Sequence, residues 1–97
     1  MRRRANLTPE TRADIKYYAR YLGEKVDGLD VTFNRSVRGT TDRLAEMPGL
    51  GSPYESDQSR LSVLRVQPVT GFPNHLIFYH EWGRSIRVVA VLHGVGT

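Results

Sequence analysis

The sequence contains no cysteine. Disulfides and thiolate-ligated metals are therefore excluded, and a reducing compartment is compatible with the chain. Lysine is scarce: only Lys16 and Lys25 occur, so cationic character falls on arginine. No apolar run approaches the roughly 18 residues that a membrane helix needs, and no signal-peptide core follows the N-terminal arginines. A cytoplasmic protein with no membrane contact is expected. Internal repeats and low-complexity tracts are missing too, and no metal site or cofactor is expected.

What is present reads as one domain over residues 1–97, large enough for one modest core. Hydrophobic content of 39% and charged content of 25% suit a globular chain. The net charge is +4. Arginine pairs bidentately with carboxylate or phosphate, so the charge points to an acidic protein or a nucleic acid. A charge of this size is also ordinary for a solvated surface.

The most β-prone run is Ser85–His93, where Ile86, Val88, Val89 and Val91 are β-branched. Alternation puts Ile86, Val88, Ala90 and Leu92 on one face and Val89 and Val91 on the other. Apolar residues on both faces predict a strand inside a sheet. The chain ends soon after this strand, leaving a short tail beside the sheet.

Residues 2–7 are expected as a short edge strand or a basic arm. Thr8, Pro9 and Glu10 form a helix start, with a capping hydroxyl, proline at the first helical position and an acid at the positive dipole end. This helix is expected over 9–22, with Ile15, Tyr18, Ala19 and Leu22 inward, an adjacent stripe of Ala13, Tyr17 and Tyr21, and Gly23 as the stop. A second helix is expected over 28–46, its core stripe being Leu29, Phe33, Val37, Thr40, Leu44 and Met47. The short connection makes the two an antiparallel hairpin. Residues 48–59 read as a surface loop. Strands follow at 61–67, 75–80 and 85–93, with Pro68 and Thr70-Gly71 turning the chain, as an antiparallel meander. The fold class is α+β: an N-terminal antiparallel α-hairpin packed on a small, mainly antiparallel sheet.

Four segments in this order resemble the RelE/ParE superfamily of bacterial toxins from type II toxin–antitoxin systems, and its ParE branch most closely. They are Asp14–Leu22, Leu44–Gly51, the hairpin Leu64-Arg65-Val66 with Leu76-Ile77-Phe78-Tyr79, and Val91-Leu92-His93-Gly94. Three positions depart from the family pattern. Gly96 and Thr97 stand where many members have an arginine and an acid, and Ala90 where many have an arginine.

The resemblance implies a toxin that binds DNA gyrase and is held in a hetero-oligomer by a cognate antitoxin, an acidic segment that folds on binding. Tyr17, Tyr21, Trp82 and Arg65 are the antitoxin-binding candidates. An antitoxin strand adding to an edge at residues 2–7 is a further possibility. Arg84, Arg87, His93 and Gly94 are the target-binding candidates. No catalytic residue is expected on this reading. The alternatives are a RelE-like ribosome-dependent mRNA endoribonuclease, and an attenuated toxin that only binds antitoxin. Ribonuclease chemistry would fall to Arg65, His93, Tyr79, Arg84 and Arg87, which offer cations for the phosphate and groups for proton transfer. The strands carry one acid, Glu81, and no lysine. Arg65 has a structural alternative, pairing with a helix carboxylate. Direct nucleic-acid binding, through Arg2–Arg4 with Arg35, Arg38 and Arg43, ranks below both toxin readings because no nucleic-acid-binding motif is present.

Overall fold

The computed structural model describes residues 4–54 and 64–94. The elements are β1 (Ala5–Leu7), α1 (Pro9–Lys25), α2 (Leu29–Glu46), β2 (Ser52–Pro53), β3 (Arg65–Val69), β4 (Phe72–Trp82) and β5 (Ser85–His93). The strands form one sheet in the order β1-β5-β4-β3-β2. β1 runs parallel to β5 and every other pair is antiparallel. The helical hairpin covers one face, as the α+β expectation requires. Phe33, Val37 and Leu44 of α2 and Ile15 and Ala19 of α1 close over Ile77, Tyr79, Ile86, Val88 and Val91.

Thr8 caps α1, its hydroxyl accepting from the Thr11 N–H at 3.1 Å. The helix does not stop at Gly23 but continues to Lys25. Gly23 serves the packing of the hairpin: a Cβ there would lie 2.9 Å from the Asp30 Cβ. The stripe on α2 is buried at Phe33, Val37, Thr40 and Leu44, whereas Leu29 is half-buried and Met47 is exposed beyond the helix end. Buried Thr40 is satisfied: its hydroxyl donates to Ser36 O at 2.7 Å and accepts from Thr70 N–H at 3.1 Å, tying α2 to the β3–β4 turn.

Three strand expectations change. Pro68 lies inside β3 rather than turning the chain, at a register shift where β2 no longer pairs, so its missing N–H breaks no ladder. The loop expected at 48–59 contributes β2, which pairs Ser52 with Val66 and Pro53 with Arg65; its residues 55–59 lie outside the described residues, as do Leu61–Val63. The alternation along β5 also fails. Tyr79 pairs with Val88 but Phe78 pairs with Ala90, so Val89 is the extra residue of a bulge. The phase flips there, and Ile86, Val88 and Val91 are buried while Leu92 is exposed.

The bulge has a second consequence. β1 pairs β5 only as far as Val88, so the edge of β5 beyond it has no strand partner on that side. α1 supplies the missing bonds. The Thr11 hydroxyl donates to Val88 O at 2.8 Å, Asp14 Oδ2 accepts from Val91 N–H at 3.1 Å, and the Tyr18 hydroxyl accepts from His93 N–H at 3.0 Å. Positions 11, 14 and 18 lie on one helix stripe, so one face of α1 caps the strand edge.

Two substitutions test this packing. Leu44→Ala is expected to cost about 2–5 kcal/mol in urea unfolding, the usual loss for a fully buried leucine; a change below about 0.5 kcal/mol would contradict the stripe. Asp14→Leu is expected to cost about 1–3 kcal/mol by stranding the Val91 N–H, with Asp14→Asn, which keeps an acceptor, losing less.

Candidate functional site

The sequence-derived candidates occupy four separate places. Tyr79 is in the core, fully buried. Its hydroxyl donates to Pro48 O at 2.7 Å and accepts from Gly51 N–H at 2.8 Å. Burial raises its pKa, against the opposing pull of the Gly51 bond and the Arg65 charge. Arg65 lies beside it and donates to Gly51 O at 2.6 Å, not to a helix carboxylate. Gly51 is required here because a Cβ would come within 2.6 Å of the Tyr79 hydroxyl. Both candidates thus hold the segment between α2 and β2. Tyr79 has no free hydroxyl for proton transfer, which removes it from the ribonuclease set.

His93 and Gly94 lie at the C-terminal end of β5. Gly94 N–H donates to Asn74 O at 2.7 Å. The His93 ring meets His75 edge-on at 4.9 Å between centroids. His75 is buried among Tyr18, Phe33 and Phe72. Burial, and then the neighbouring His93, lowers its pKa.

Arg84, Arg87 and Trp82 lie at the opposite end of the sheet. The Arg87 guanidinium sits over the Trp82 ring at 4.3 Å, and the His80 ring meets Trp82 edge-on at 5.6 Å. His93 and Arg87 are six positions apart on one strand, about 20 Å, so they cannot act on one phosphate. Tyr17 and Tyr21 are exposed on the flank of α1, Tyr21 beneath Lys25 at 5.2 Å. The antitoxin candidates therefore do not form one patch, because Trp82 lies with Arg84 and Arg87.

One feature escaped the sequence reading. A groove of about 1000 Å³ runs between the outer flanks of α1 and α2 and reaches β1. Ala5 and Leu7 form its apolar end. Five cations line it, Arg12, Lys16, Arg20, Arg35 and Arg38, against the carboxylates of Glu24, Asp30 and Asp42. Its signal was the four-residue spacing of Arg12, Lys16 and Arg20, visible only once the partner flank of α2 is known. Arg43 is outside it and reaches Thr70 Oγ1 at 3.3 Å. Among the described residues no group of three or more metal-ligating side chains occurs.

The family model for the ParE toxin of the type II toxin–antitoxin system parDE matches residues 5–95. The chain belongs to the ParE toxin family. The fold agrees with that membership. A solved chain described as the chromosomal ParDE toxin–antitoxin system from P. aeruginosa superposes with a TM-score of 0.73 at 12% identity, covering 96% of this chain and 97% of that one. No curated protein sequence matches.

In this ParE-family chain the four resembling segments have structural work to do. Asp14 and Tyr18 cap β5, Pro48 and Gly51 enclose Tyr79, and His93 ends the capped edge. Gly96 and Thr97 lie outside the described residues. Ala90 is half-buried beside the β5 bulge. No helix among the described residues is long and apolar enough to cross a membrane.

Tyr79→Phe is expected to cost about 1–3 kcal/mol in thermal unfolding, since two backbone groups lose their partner at once. The pH dependence follows from His75. Its folded-state pKa lies below the ordinary 6.5, so the unfolded chain binds the proton more readily. Stability from this group is complete above pH 6.5 and falls as pH drops below it. Melting temperatures between pH 7 and 5 should decline, and His75→Phe should flatten that decline.

Proposed function

We propose that this chain is the toxin of a toxin–antitoxin pair, that an acidic antitoxin segment occupies the groove between α1 and α2, and that the toxin acts by binding DNA gyrase. The observation that carries the antitoxin part is the groove itself. It combines excess cationic charge with an apolar end at the exposed edge of β1. An acidic amphipathic segment that orders on binding matches this chemistry, and its backbone can extend the sheet at β1. The complex is then a hetero-oligomer.

Gyrase as target rests on membership in the ParE family and on the scatter of the ribonuclease candidates. Arg65 and Tyr79 are engaged with Pro48 and Gly51, and His93 is about 20 Å from Arg87. A protein-binding toxin needs a surface rather than an acid–base pair converging on one phosphate.

Purified protein is expected to inhibit gyrase supercoiling or trap cleaved DNA while leaving mRNA intact in a translating extract. Codon-dependent mRNA cleavage with unaffected gyrase would overturn the gyrase reading. For the groove, Lys16→Glu with Arg38→Glu should weaken capture of the cognate antitoxin at least tenfold, with a reduced salt dependence. Unchanged affinity in a correctly folded double variant would place the antitoxin elsewhere.

A further inference from the structure

The face of the sheet turned away from the helices carries a charged and aromatic cluster that neither the groove nor the core uses. Pleat alternation puts His80 and Trp82 of β4, Arg87 of β5 and Asn6 of β1 on this face. The register places His80 opposite Arg87 and Asn6 beside it. Trp82 is 52% exposed although it is a large ring at the end of a strand. Arg87 is laid across it at 4.3 Å, which fixes the guanidinium in place. The Arg87 Nε is buried with no hydrogen-bond partner, and no carboxylate pairs with its charge among the described residues. Arg84 is exposed in the turn next to Trp82, and Arg4 enters at the same end, its carbonyl accepting from Ile86 N–H at 3.1 Å. Alternation places Glu81 on the helix side, so no described carboxylate stands on this face.

We propose that this platform binds single-stranded DNA, with a base stacked on Trp82 and neighbouring phosphates held by Arg87, Arg84 and Arg4. Ring faces stack on any base, and arginine forks pair with phosphate oxygens. An acidic peptide would satisfy the cations but put nothing on the part of the indole that Arg87 leaves exposed. Cluster and charge select a nucleic-acid strand; the choice of DNA over RNA rests on the gyrase reading, since a gyrase-bound toxin meets DNA. No linear motif signals the platform because its members come from β1, β4, β5 and a turn.

Trp82 is the only tryptophan, so its emission reports the site directly. Titrating the purified full chain, without gyrase, with the oligonucleotide dT12 should quench that emission saturably. Arg87→Ala should weaken binding roughly tenfold, in the range found for lost stacking and cation contacts. Arg84→Ala, at an exposed turn, should lower the salt slope by about 0.7, the value for one phosphate contact to a single strand. Circular dichroism confirms that each variant is folded, and Arg84→Ala keeps the test decisive if Arg87→Ala is not. Equal affinity for rU12 agrees with a sugar-indifferent platform. The proposal is overturned by an absence of saturable quenching, by an Arg84→Ala titration identical to the parent, by equal binding of a twelve-residue polyglutamate, or by markedly tighter binding of rU12. Because gyrase is absent from this titration, its failure is separate from failure of the supercoiling assay.

Discussion

The arrangement depends on how the open edge of β5 is closed. A strand inside a sheet satisfies its backbone on both sides, and an exposed edge invites unwanted pairing. β5 has β4 along its whole length but β1 only over Ile86–Val88. The bulge at Val89 separates the strand-paired part from the part capped by α1. Thr11, Asp14 and Tyr18 do what a longer β1 would have done. α1 is therefore held to the sheet by directional bonds as well as by Ile15 and Ala19. The orientation of α1 in turn sets that of α2 through the close approach of Gly23 to Asp30.

That closure gives the sheet two unlike ends. At one, His75 is enclosed by Tyr18, Phe33 and Phe72, the exposed His93 ring meets it edge-on, and the backbone is tied to α1. At the other, the β4–β5 turn projects with Trp82, Arg84 and Arg87 around it and no helix over its outer face. A contact surface is more available at the second end, because little there must be broken to expose it. The target-binding candidates taken from one sequence segment thus divide between a structural end and a free one.

The helices, most of their buried stripes and the β3–β4–β5 meander were legible in the sequence because they rest on local periods and short turns. Features that rest on contacts across the chain were not, among them the parallel place of β1 beside β5 and the β2 pairing. Gly23 resembles a helix stop until Asp30 is seen against it. Val89 resembles a regular strand residue, and only its pairing with β4 shows the bulge. Pro68 looks like a turn because its tolerance inside β3 depends on where β2 ends. The segment Pro48–Pro53 looks like a loop because it is held by Tyr79, about thirty positions away. Site legibility followed the same rule. Trp82 and Arg87 could be picked by residue type, but their stacking could not. The groove cations needed both helices in place.

The groove and the platform lie on opposite faces of one sheet, and β1 joins them. Ala5 and Leu7 point to the groove side, while Asn6 between them is registered with Arg87. A partner strand added to β1 would alternate its side chains between the two faces. Such a segment, acidic on one set of positions and apolar on the other, could engage groove cations and approach Arg87 without any part of it crossing the sheet. On the proposed reading, an antitoxin segment in the groove then leaves the outer face of the sheet uncovered except beside β1. β1 is then the element through which the two faces would be coupled, because its alternating side chains already reach both.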